Sequence, residues 1–319
     1  GGAGKHLNYQ EAESTAIYAN VGFQATDSLR LSVGVRNTQD DKFAFTDIGA
    51  LQESGSRDWD ETSWEVAAAW DMNDRMNLYG TIQNGYQSGQ YPPRPFCLFG
   101  SFDFGTGVLS RPNCFVANEN VTAVNYEVGL KGRPIDRLSM SVALFTTEYS
   151  DLPYQVSDNT GGGFNTVNII VDQTSTGVEW ESTWVPTDLF TLHAAIGFID
   201  VDVDDPNPNI VAPLTPELTA SISPEFTQSL QNGAEIVWRF DWSYRDEMYG
   251  QPYNNVPITD IDSRTLINFD IAYHDPDGRW TVAAFGRNAT DEKYDNARLL
   301  PNDYVLQILN NDRSEFGLR

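Results

Sequence analysis

The sequence is poor in residues on which several classes of protein depend. Its 319 residues contain only two cysteines and three histidines. Two cysteines are too few for a small disulfide-built scaffold or for a four-cysteine zinc site, and three scattered histidines leave little metal chemistry. Basic residues are also scarce, since 20 Lys and Arg stand against 45 Asp and Glu and give a formal net charge of −25. This excess of negative charge excludes binding to nucleic-acid phosphates.

Long apolar segments are missing as well. No window approaches the roughly 18 apolar residues that a membrane-spanning helix needs, so helical membrane spans are excluded. The first residues, Gly1-Gly2-Ala3-Gly4, do not form the basic and apolar regions of a secretion signal, which predicts a processed chain or a fragment. With 40% hydrophobic and 12% aromatic residues, the composition is nevertheless too rich for a disordered chain.

The sequence is instead rich in apolar and polar residues that alternate with a period of two, which is typical of β-strands. The clearest case covers residues 234–245, where one face is apolar and the other is polar except at Val237. The apolar face carries Ala234, Ile236, Trp238, Phe240, Trp242 and Tyr244, and the polar face carries Glu235, Arg239, Asp241, Ser243 and Arg245. Similar patterns predict about thirteen strands, at 12–25, 29–41, 59–71, 75–88, 122–133, 137–149, 173–185, 189–199, 216–228, 234–245, 263–274, 279–290 and 313–319.

The connections between the predicted strands alternate in kind. Short turns occupy 26–28, 72–74, 133–136, 186–188, 231–233 and 275–278. Long polar stretches occupy 42–58, 89–121, 151–172, 202–215, 247–262 and 291–312. We expect the short turns at one end of the strands and the long loops at the other, in a single unit over residues 1–319. The repeating unit is a hairpin of about forty residues, which is also the length of a propeller blade. The strands of a propeller, however, are short and buried on both faces.

Strands with one wholly apolar face either pack in a soluble sandwich or face lipid in a closed barrel. The polar face favours the barrel, because it carries small neutral groups beside mixed charge, as at Asn77, Thr81 and Gln83. From Ala234 to Tyr244 the chain rises about 3.3 Å per residue, and with a tilt of about 40° it spans roughly 25 Å, the apolar height of an outer-membrane barrel. Aromatic residues near the strand ends resemble the two girdles of such barrels: Trp70, Trp184, Trp280, Tyr86, Tyr244 and Tyr273. The predicted fold class is therefore all-β, an antiparallel transmembrane β-barrel.

Seven segments of the chain have the character of family motifs. They are NLYG at 77–80, GYQSG at 85–89, NYEVGLKG at 125–132, FTTEYSDL at 145–152, STGVEWE at 175–181, WTVAAFGRNATDEKY at 280–294 and RSEFGLR at 313–319. Together they resemble segments of the TonB-dependent outer-membrane receptors. Their order and spacing cover almost the whole chain, over 12–319. The last segment resembles the start of the closing strand of the family's barrel.

The resemblance implies a barrel of about 22 strands, of which this chain supplies the later part. It also implies an N-terminal plug domain, a TonB box and early barrel strands that the sequence does not contain. The implied location is the bacterial outer membrane, and the implied function is TonB-powered uptake of a ferric siderophore or of another nutrient such as a carbohydrate. The implied partners are TonB, outer-membrane lipid and lipopolysaccharide, a small-molecule ligand, and a plug domain or second polypeptide that completes the barrel. No cofactor is implied.

Other functional classes give three alternatives. An ungated porin would need no plug, and a surface adhesin would need only the loops. An outer-membrane hydrolase would need a nucleophile near a histidine and an acid, and no such set emerges, so we do not expect an enzyme.

Candidate binding residues follow from the predicted topology. In the long loops, aromatic and cationic residues suit chelates and sugars: Tyr91, Arg94, Arg111, Tyr154, Tyr249 and Tyr253. Charges on the polar faces of strands are expected to line the lumen, where they either pair with one another or line a ligand path: Glu179, Glu181, Glu235, Arg239, Asp241, Asp270 and Arg287.

The remaining candidates concern covalent and metal chemistry. Cys97 and Cys114 lie in the longest loop, where an oxidising exterior predicts a disulfide worth on the order of 3 kcal/mol.

Asp200, Asp202, Asp204 and Asp205 have the oxygen density that Ca²⁺ uses, but no glycine-centred calcium loop follows, so a solvated acidic strand end is the favoured interpretation. Residues 206–210 resemble a loop of haem receptors, yet His6, His193 and His274 all lie apart from it. No metal site is therefore predicted.

Overall fold

The computed structural model describes residues 7–47, 52–91, 102–103, 108–109, 115–158, 165–302, 305–310 and 313–319. Its strands are β1 (Leu7–Gln24), β2 (Leu29–Asp47), β3 (Gln52–Asn73), β4 (Met76–Gln87), β5 (Phe102–Asp103), β6 (Val108–Leu109), β7 (Val121–Ile135), β8 (Leu138–Asp158), β9 (Asn165–Thr187), β10 (Phe190–Asp204), β11 (Leu218–Ser229), β12 (Glu235–Arg245), β13 (Met248–Tyr249), β14 (Asp260–Ile261), β15 (Arg264–His274), β16 (Thr281–Arg287), β17 (Asp295–Asn302), β18 (Val305–Asn310) and β19 (Glu315–Leu318). A short 3₁₀ turn covers Pro257–Thr259. Within these ranges, no helix is long and apolar enough to cross a membrane.

Thirteen strands form one antiparallel sheet in the order β1-β2-β3-β4-β7-β8-β9-β10-β11-β12-β15-β16-β19. Each strand pairs with the neighbouring sheet strands in the chain, so the sheet is an up-and-down meander. This confirms the predicted all-β antiparallel fold class and its thirteen strands. The outer edges of β1 and β19 have no strand partner among the described residues.

Side-chain oxygens stabilise the short turns at one end of the sheet, which we call the turn end. Thr26 Oγ1 accepts a hydrogen bond of 3.0 Å from the Leu29 N–H. Asn73 Oδ1 accepts from the N–H groups of Arg75 and Met76, at 2.9 and 3.1 Å. Gly278 has a φ of 68°, a left-handed conformation that glycine adopts without steric cost. These are the local turn interactions that Asn, Thr and Gly make, and they explain why the turns were predictable.

At the opposite end, which we call the loop end, the loop boundaries predicted from sequence are wrong. The strand pair β2–β3 continues to Asp47 and Gln52, so most of the predicted loop 42–58 is strand. Likewise β8 extends to Asp158 and β9 begins at Asn165, within the predicted loop 151–172. The predicted loops 247–262 and 291–312 contain the small hairpins β13–β14 and β17–β18. In the β8–β9 extension the register shifts between Tyr149 and Leu152, and Tyr154 and Val171 then pack in a buried cluster on the polar face, while the backbone pairing continues.

The two faces of the sheet differ in polarity. Val33, Val66 and Ile82 are cross-strand neighbours on β2, β3 and β4, and they are exposed by 54%, 47% and 43%. The same apolar face continues through Leu144 and Val178, and on to Phe240 of β12. An apolar face that stays this exposed is not the inside of a sandwich. It is the surface that a membrane barrel presents to lipid, and the opposite polar face is the one that lines a lumen.

Glycines allow aromatic rings to lie flat on neighbouring strands. A Cβ atom on Gly177 would lie 2.5 Å from Cζ of Phe145 and 2.7 Å from the carbonyl oxygen of Phe198. Gly129 lies under the ring of Tyr79, and a Cβ atom there would lie 2.4 Å from that ring. The bare glycine backbone is therefore part of the packing, as in the pairing of aromatic side chains with strand glycines.

Buried apolar residues form two small clusters at the loop end. The Trp59 cluster consists of Ala44, Trp59, Tyr91 and Ala117, with Phe115 packed against it. The Tyr154 cluster consists of Tyr154, Val171 and Ile210, with Leu152, Ile169, Val203 and Tyr253 packed against it. The middle of the sheet adds no such cluster in the described ranges, which suits a wall that meets lipid on one side.

Candidate functional site

All seven charges predicted to line a lumen lie on the polar face. Cross-strand pairs fix this arrangement, since Arg239 lies opposite Asp270 and Arg287 lies opposite Glu315. The strand positions are Glu179 and Glu181 on β9, Glu235, Arg239 and Asp241 on β12, Asp270 on β15 and Arg287 on β16. The strand register thus places the seven residues on one face of the sheet, and that this face lines a lumen stays a prediction. Whether these charges line a ligand path stays a prediction.

Some of these charges pair within the polar face. Arg239 Nε donates a hydrogen bond of 2.9 Å to Glu225 Oε2 on β11. Arg319 Nη2 lies 2.5 Å from Asp270 Oδ2. Glu225 and Arg319 were missed in the sequence, although Glu225 occupies a polar-face position of its strand. Such pairs keep the inner wall of a wide barrel electrostatically satisfied.

The Trp59 cluster attaches two loop segments to the polar face. Two cations lie close to the Trp59 ring, with Lys42 Nζ at 5.5 Å and Arg57 Cζ at 5.3 Å from its centroid. Lys42 Nζ donates to the carbonyl oxygens of Ser88 and Gly89, at 3.2 and 2.9 Å. Arg57 donates to the carbonyl oxygen of Ala117 at 3.0 Å and pairs with Glu119. The cations thus fix the chain on both sides of residues 92–114. The sequence did not reveal them, because they lie in the predicted loop 42–58.

The predicted ligand-contacting tyrosines have different environments. Tyr91 is 6% exposed, its ring lies 5.2 Å from that of Phe115, and burial raises the pKa of its phenol. Tyr154 is 7% exposed and Tyr253 is half-buried in the same cluster, whereas Tyr249 is 38% exposed. Tyr91 and Tyr154 therefore contribute to packing at the loop end. Contact of any of these tyrosines with a ligand stays a prediction.

Four predicted site residues lie outside the described residues. They are Arg94, Arg111, Cys97 and Cys114. The disulfide stays a prediction, and we expect mass mapping of the non-reduced protein to find Cys97 joined to Cys114. Two free thiols on freshly isolated outer membrane would contradict it.

The acidic run at the end of β10 does not form a metal site in the described structure. Asp200, Asp202 and Asp204 are exposed, and Asp205 Oδ1 accepts a hydrogen bond of 2.8 Å from the Asn207 N–H in the following turn. Across the described ranges, no three His, Cys, Asp or Glu side chains lie close enough to hold one metal ion. His193 and His274 each lie 3.0 Å from a threonine hydroxyl on the polar face.

Two loops at the loop end enclose a cavity of about 310 Å³, which we call the acidic cavity. Backbone hydrogen bonds join the loops, from the Leu214 N–H to the Tyr249 carbonyl at 2.7 Å and from the Asn254 N–H to the Asn209 carbonyl at 3.0 Å. Six acidic residues are among those that line the cavity: Asp200, Glu217, Asp246, Glu247, Asp260 and Asp262. Of the residues that line the cavity, the sequence predicted a role only for Asp200 and Tyr249. The clustering of acidic residues within 246–262 is the sequence feature that could have identified the other acidic residues of that segment.

One carboxylate of this cavity is unusual. Asp260 Oδ1 is buried and has no hydrogen-bond partner in the structure as described. Burial raises the pKa of Asp260, and the nearby Arg298 opposes that shift. Arg298 Nη1 donates at 2.6 Å to the Asp260 carbonyl oxygen, and Arg298 Nη2 lies 3.4 Å from Asp262 Oδ2.

Comparison with known proteins identifies the same architecture. The family model "TonB dependent receptor-like, beta-barrel" matches residues 5–289. A pesticin receptor from Yersinia enterocolitica is 25% identical over 181 residues, which is 55% of this chain and 24% of that protein.

Solved structures are similar over nearly the whole chain. The ferric yersiniabactin uptake receptor FyuA from Yersinia pestis matches with a TM-score of 0.81 and 16% identity, over 98% of this chain and 46% of that one. The ferric-catecholate import receptor Fiu from E. coli K12, in its closed form, matches with a TM-score of 0.72 and 16% identity, over 98% of this chain and 44% of that one. At these identities the likeness shows the fold. The chain spans less than half the length of the proteins that it matches.

Proposed function

Because this chain belongs to the TonB-dependent receptor-like β-barrel family, we propose that it forms part of a receptor that takes up a scarce small molecule across the outer membrane. The family and fold are those of outer-membrane transport receptors and not of enzymes. The observation that carries the proposal is the division of the sheet into two faces. One face is apolar and exposed across the strands, and the other carries charges, some of them paired, below a loop end with buried clusters.

We propose a ferric siderophore as the ligand, with another nutrient such as a carbohydrate as the second candidate. Two of the similar structures are described as receptors for ferric yersiniabactin and for ferric catecholates, which supports iron uptake. The energy would come from TonB through an N-terminal region outside this chain. A plug domain or a second polypeptide would complete the barrel, and the apolar face would contact membrane lipid and lipopolysaccharide.

Uptake of iron by whole cells tests this function. We expect cells that make the receptor to take up radioactive iron, supplied as a ferric siderophore, faster than cells in which its gene is deleted. The advantage should disappear when TonB is removed, because a plugged barrel needs that energy to open. Uptake that persists without TonB would contradict the proposal and indicate an ungated porin. Surface binding of ligand without any uptake would indicate an adhesin.

A further inference from the structure

The strand pair β4–β7 leaves the sheet at the loop end. In the described structure, pairing of β4 with β3 ends at Gln83, whereas pairing of β4 with β7 continues to the end of β4. Beyond that point the side chain of Asn84 replaces a strand partner, because its Oδ1 accepts a hydrogen bond of 2.6 Å from the Trp64 N–H. We call the departing segment, which comprises residues 84–91 and 115–124, the ribbon.

The ribbon folds inwards across the polar face of β1, β2 and β3. The Tyr86 hydroxyl donates a hydrogen bond of 2.7 Å to Asp40 Oδ2 on β2, and Gln10 Nε2 on β1 donates at 3.4 Å to the Tyr91 carbonyl oxygen. Asp40 lies an odd number of residues from Val33 on the same strand, so their side chains point to opposite faces. The ribbon is therefore on the polar face and not on the apolar face.

Close packing fixes the ribbon in one position. Beneath it, Ala44 and Trp59 are 0% and 5% exposed. A Cβ atom on Gly89 of the ribbon would lie 2.7 Å from Cζ2 of Trp59 and would overlap the carbonyl oxygen of Asn118. The absence of a side chain at Gly89 thus lets the ribbon lie directly on the Trp59 ring. Such a contact leaves no room for sliding.

Two cations of the wall reach both strands of the ribbon. Lys42 donates to the carbonyl oxygens of Ser88 and Gly89, and Arg57 donates to that of Ala117. Hydrogen bonds from charged donors are about twice as strong as those between neutral groups. The stems of both cations also lie against Trp59. Lys42 and Arg57 therefore combine packing and hydrogen bonding where the ribbon meets the wall.

We propose that Lys42 and Arg57 are positioning residues that keep the ribbon folded into the mouth of the barrel, where it forms a fixed part of the surface that receives the ligand. A segment that is ordered before binding loses no conformational freedom when the ligand binds. The two cations therefore raise ligand affinity without contacting the ligand. The claim about affinity rests on the proposed function, whereas the fixed position of the ribbon is independent of it.

The reactivity of a cysteine beneath the ribbon tests its position. The reporter is Ala44→Cys, because Ala44 is fully buried there, in the receptor purified in mild detergent in the form in which cells make it. The test variant adds Lys42→Met and Arg57→Met, which keep unbranched stems for packing and remove the charged donors. The matched control adds Arg75→Met and Arg137→Met, which remove two cations paired with aspartates at the turn end.

We expect the cysteine of the test variant to react with a maleimide about tenfold faster or more, because local opening becomes more frequent when attachments are lost. The control variant should react as slowly as the reporter alone. Lys42→Arg should also stay slow, because arginine can donate to the same carbonyl oxygens. Rapid reaction of the reporter alone, or equal rates in the test and control variants, would overturn the inference.

Two further measurements keep the labelling result interpretable. Reaction at Cys97 and Cys114 is measured in each variant without Ala44→Cys and is subtracted. Heat-modifiable mobility in electrophoresis shows which variants are folded. If the double substitution prevents folding, Lys42→Met alone takes its place, with Arg75→Met alone as its control, and the same comparison of rates decides.

Uptake kinetics separate this inference from the proposed function. With the same radioactive ferric siderophore, we expect the test variant to raise the apparent KM about tenfold and to leave the maximal rate within about twofold, since pre-organisation acts on binding. An unchanged KM in a variant whose ribbon is released would overturn the role in ligand affinity. Absence of TonB-dependent uptake by the unchanged receptor would contradict the proposed function alone, and the labelling rates would still decide the position of the ribbon.

Discussion

Phe240 and Arg239 are chain neighbours on β12, yet they meet different surroundings. Phe240 lies on the apolar face and is 43% exposed. Arg239 lies on the polar face, where it pairs with Glu225. The strand geometry alone separates them, since successive side chains point to opposite sides of the sheet. Substitutions at these two adjacent positions should therefore differ in their cost to stability.

We expect Ile236→Arg or Phe240→Arg to destabilise the receptor by about 2–4 kcal/mol, the cost of a cation near the bilayer midplane. Arg239→Gln should cost much less, because Glu225 retains access to water in the lumen. Denaturant titration of the receptor folded into lipid vesicles would measure all three. Equal tolerance at the three positions would contradict the assignment of the faces.

Gly177 tests the close packing of aromatic rings on strand glycines. A Cβ atom at this position meets both Phe145 and the backbone carbonyl of Phe198. We expect Gly177→Ala to destabilise the receptor by about 1–3 kcal/mol, as overpacking does. Gly85→Ala is the matched control, because nothing lies within 4 Å of a Cβ atom placed there. The same titration would measure both variants, and equal stability of the two would show that the ring moves away at no cost.

At the scale of elements, the two ends of the strands differ in structure. The turn end is closed by short turns that are stabilised by their own Asn, Thr and Gly residues. At the loop end, strands extend beyond the apolar band and carry the Trp59 cluster, the Tyr154 cluster and the acidic cavity. Both clusters lie on the side of the polar face. Packing at the loop end therefore places ordered loop segments over the mouth of the barrel rather than over lipid.

Labelling of intact cells tests which end faces the exterior. We expect Asn255→Cys, in the loop that borders the acidic cavity, to react with a membrane-impermeant maleimide. Asp277→Cys, in the turn at 275–278, should be protected, because short turns of outer-membrane barrels face the periplasm. Both side chains are exposed in the structure, so a difference in labelling would report the side of the membrane and not the burial of the residue. The opposite labelling would invert the orientation of the sheet.

At the scale of the whole molecule, the thirteen-stranded sheet has two edges that remain without partners among the described residues. The unpaired N–H and C=O groups of an edge strand cost several kcal/mol each in hydrocarbon. The chain also covers less than half of the similar solved receptors. We therefore expect further strands to pair with β1 and β19 before this wall is stable in a membrane.

We expect residues 1–319 expressed alone to give no heat-modifiable, protease-resistant barrel in outer membranes or detergent. The physical reason is the open edges, which a closed barrel of the family's size would pair. Electrophoresis of unheated samples and protease digestion would measure the outcome. A closed, ligand-importing pore formed by these residues alone would contradict the receptor-fragment interpretation, and a smaller independent barrel would replace it.

The amino-acid sequence by itself determined the thirteen strands, the turn end and the polarity of the two faces. These features are local, because the period of two and the chemistry of turns such as 72–74 depend on residues close in the chain. The side of the sheet on which Glu179 and Arg239 lie was predictable for the same reason. The motifs at 125–132 and 280–294 also identified the family before any fold was known.

Only the tertiary structure decided how the loop end is built. Strand pairing continues through residues 42–47 and 52–58 because the neighbouring strands supply hydrogen-bond partners, although residues 52–58 carry no apolar side chain. The partners Arg239 and Glu225 are 14 residues apart, and Arg57 and Glu119 are 62 apart, so register and loop packing bring them together. The acidic cavity likewise joins residues from 199–262. Contacts between residues so distant in the chain leave no periodic trace in the sequence, because they depend on how strands and loops pack against one another.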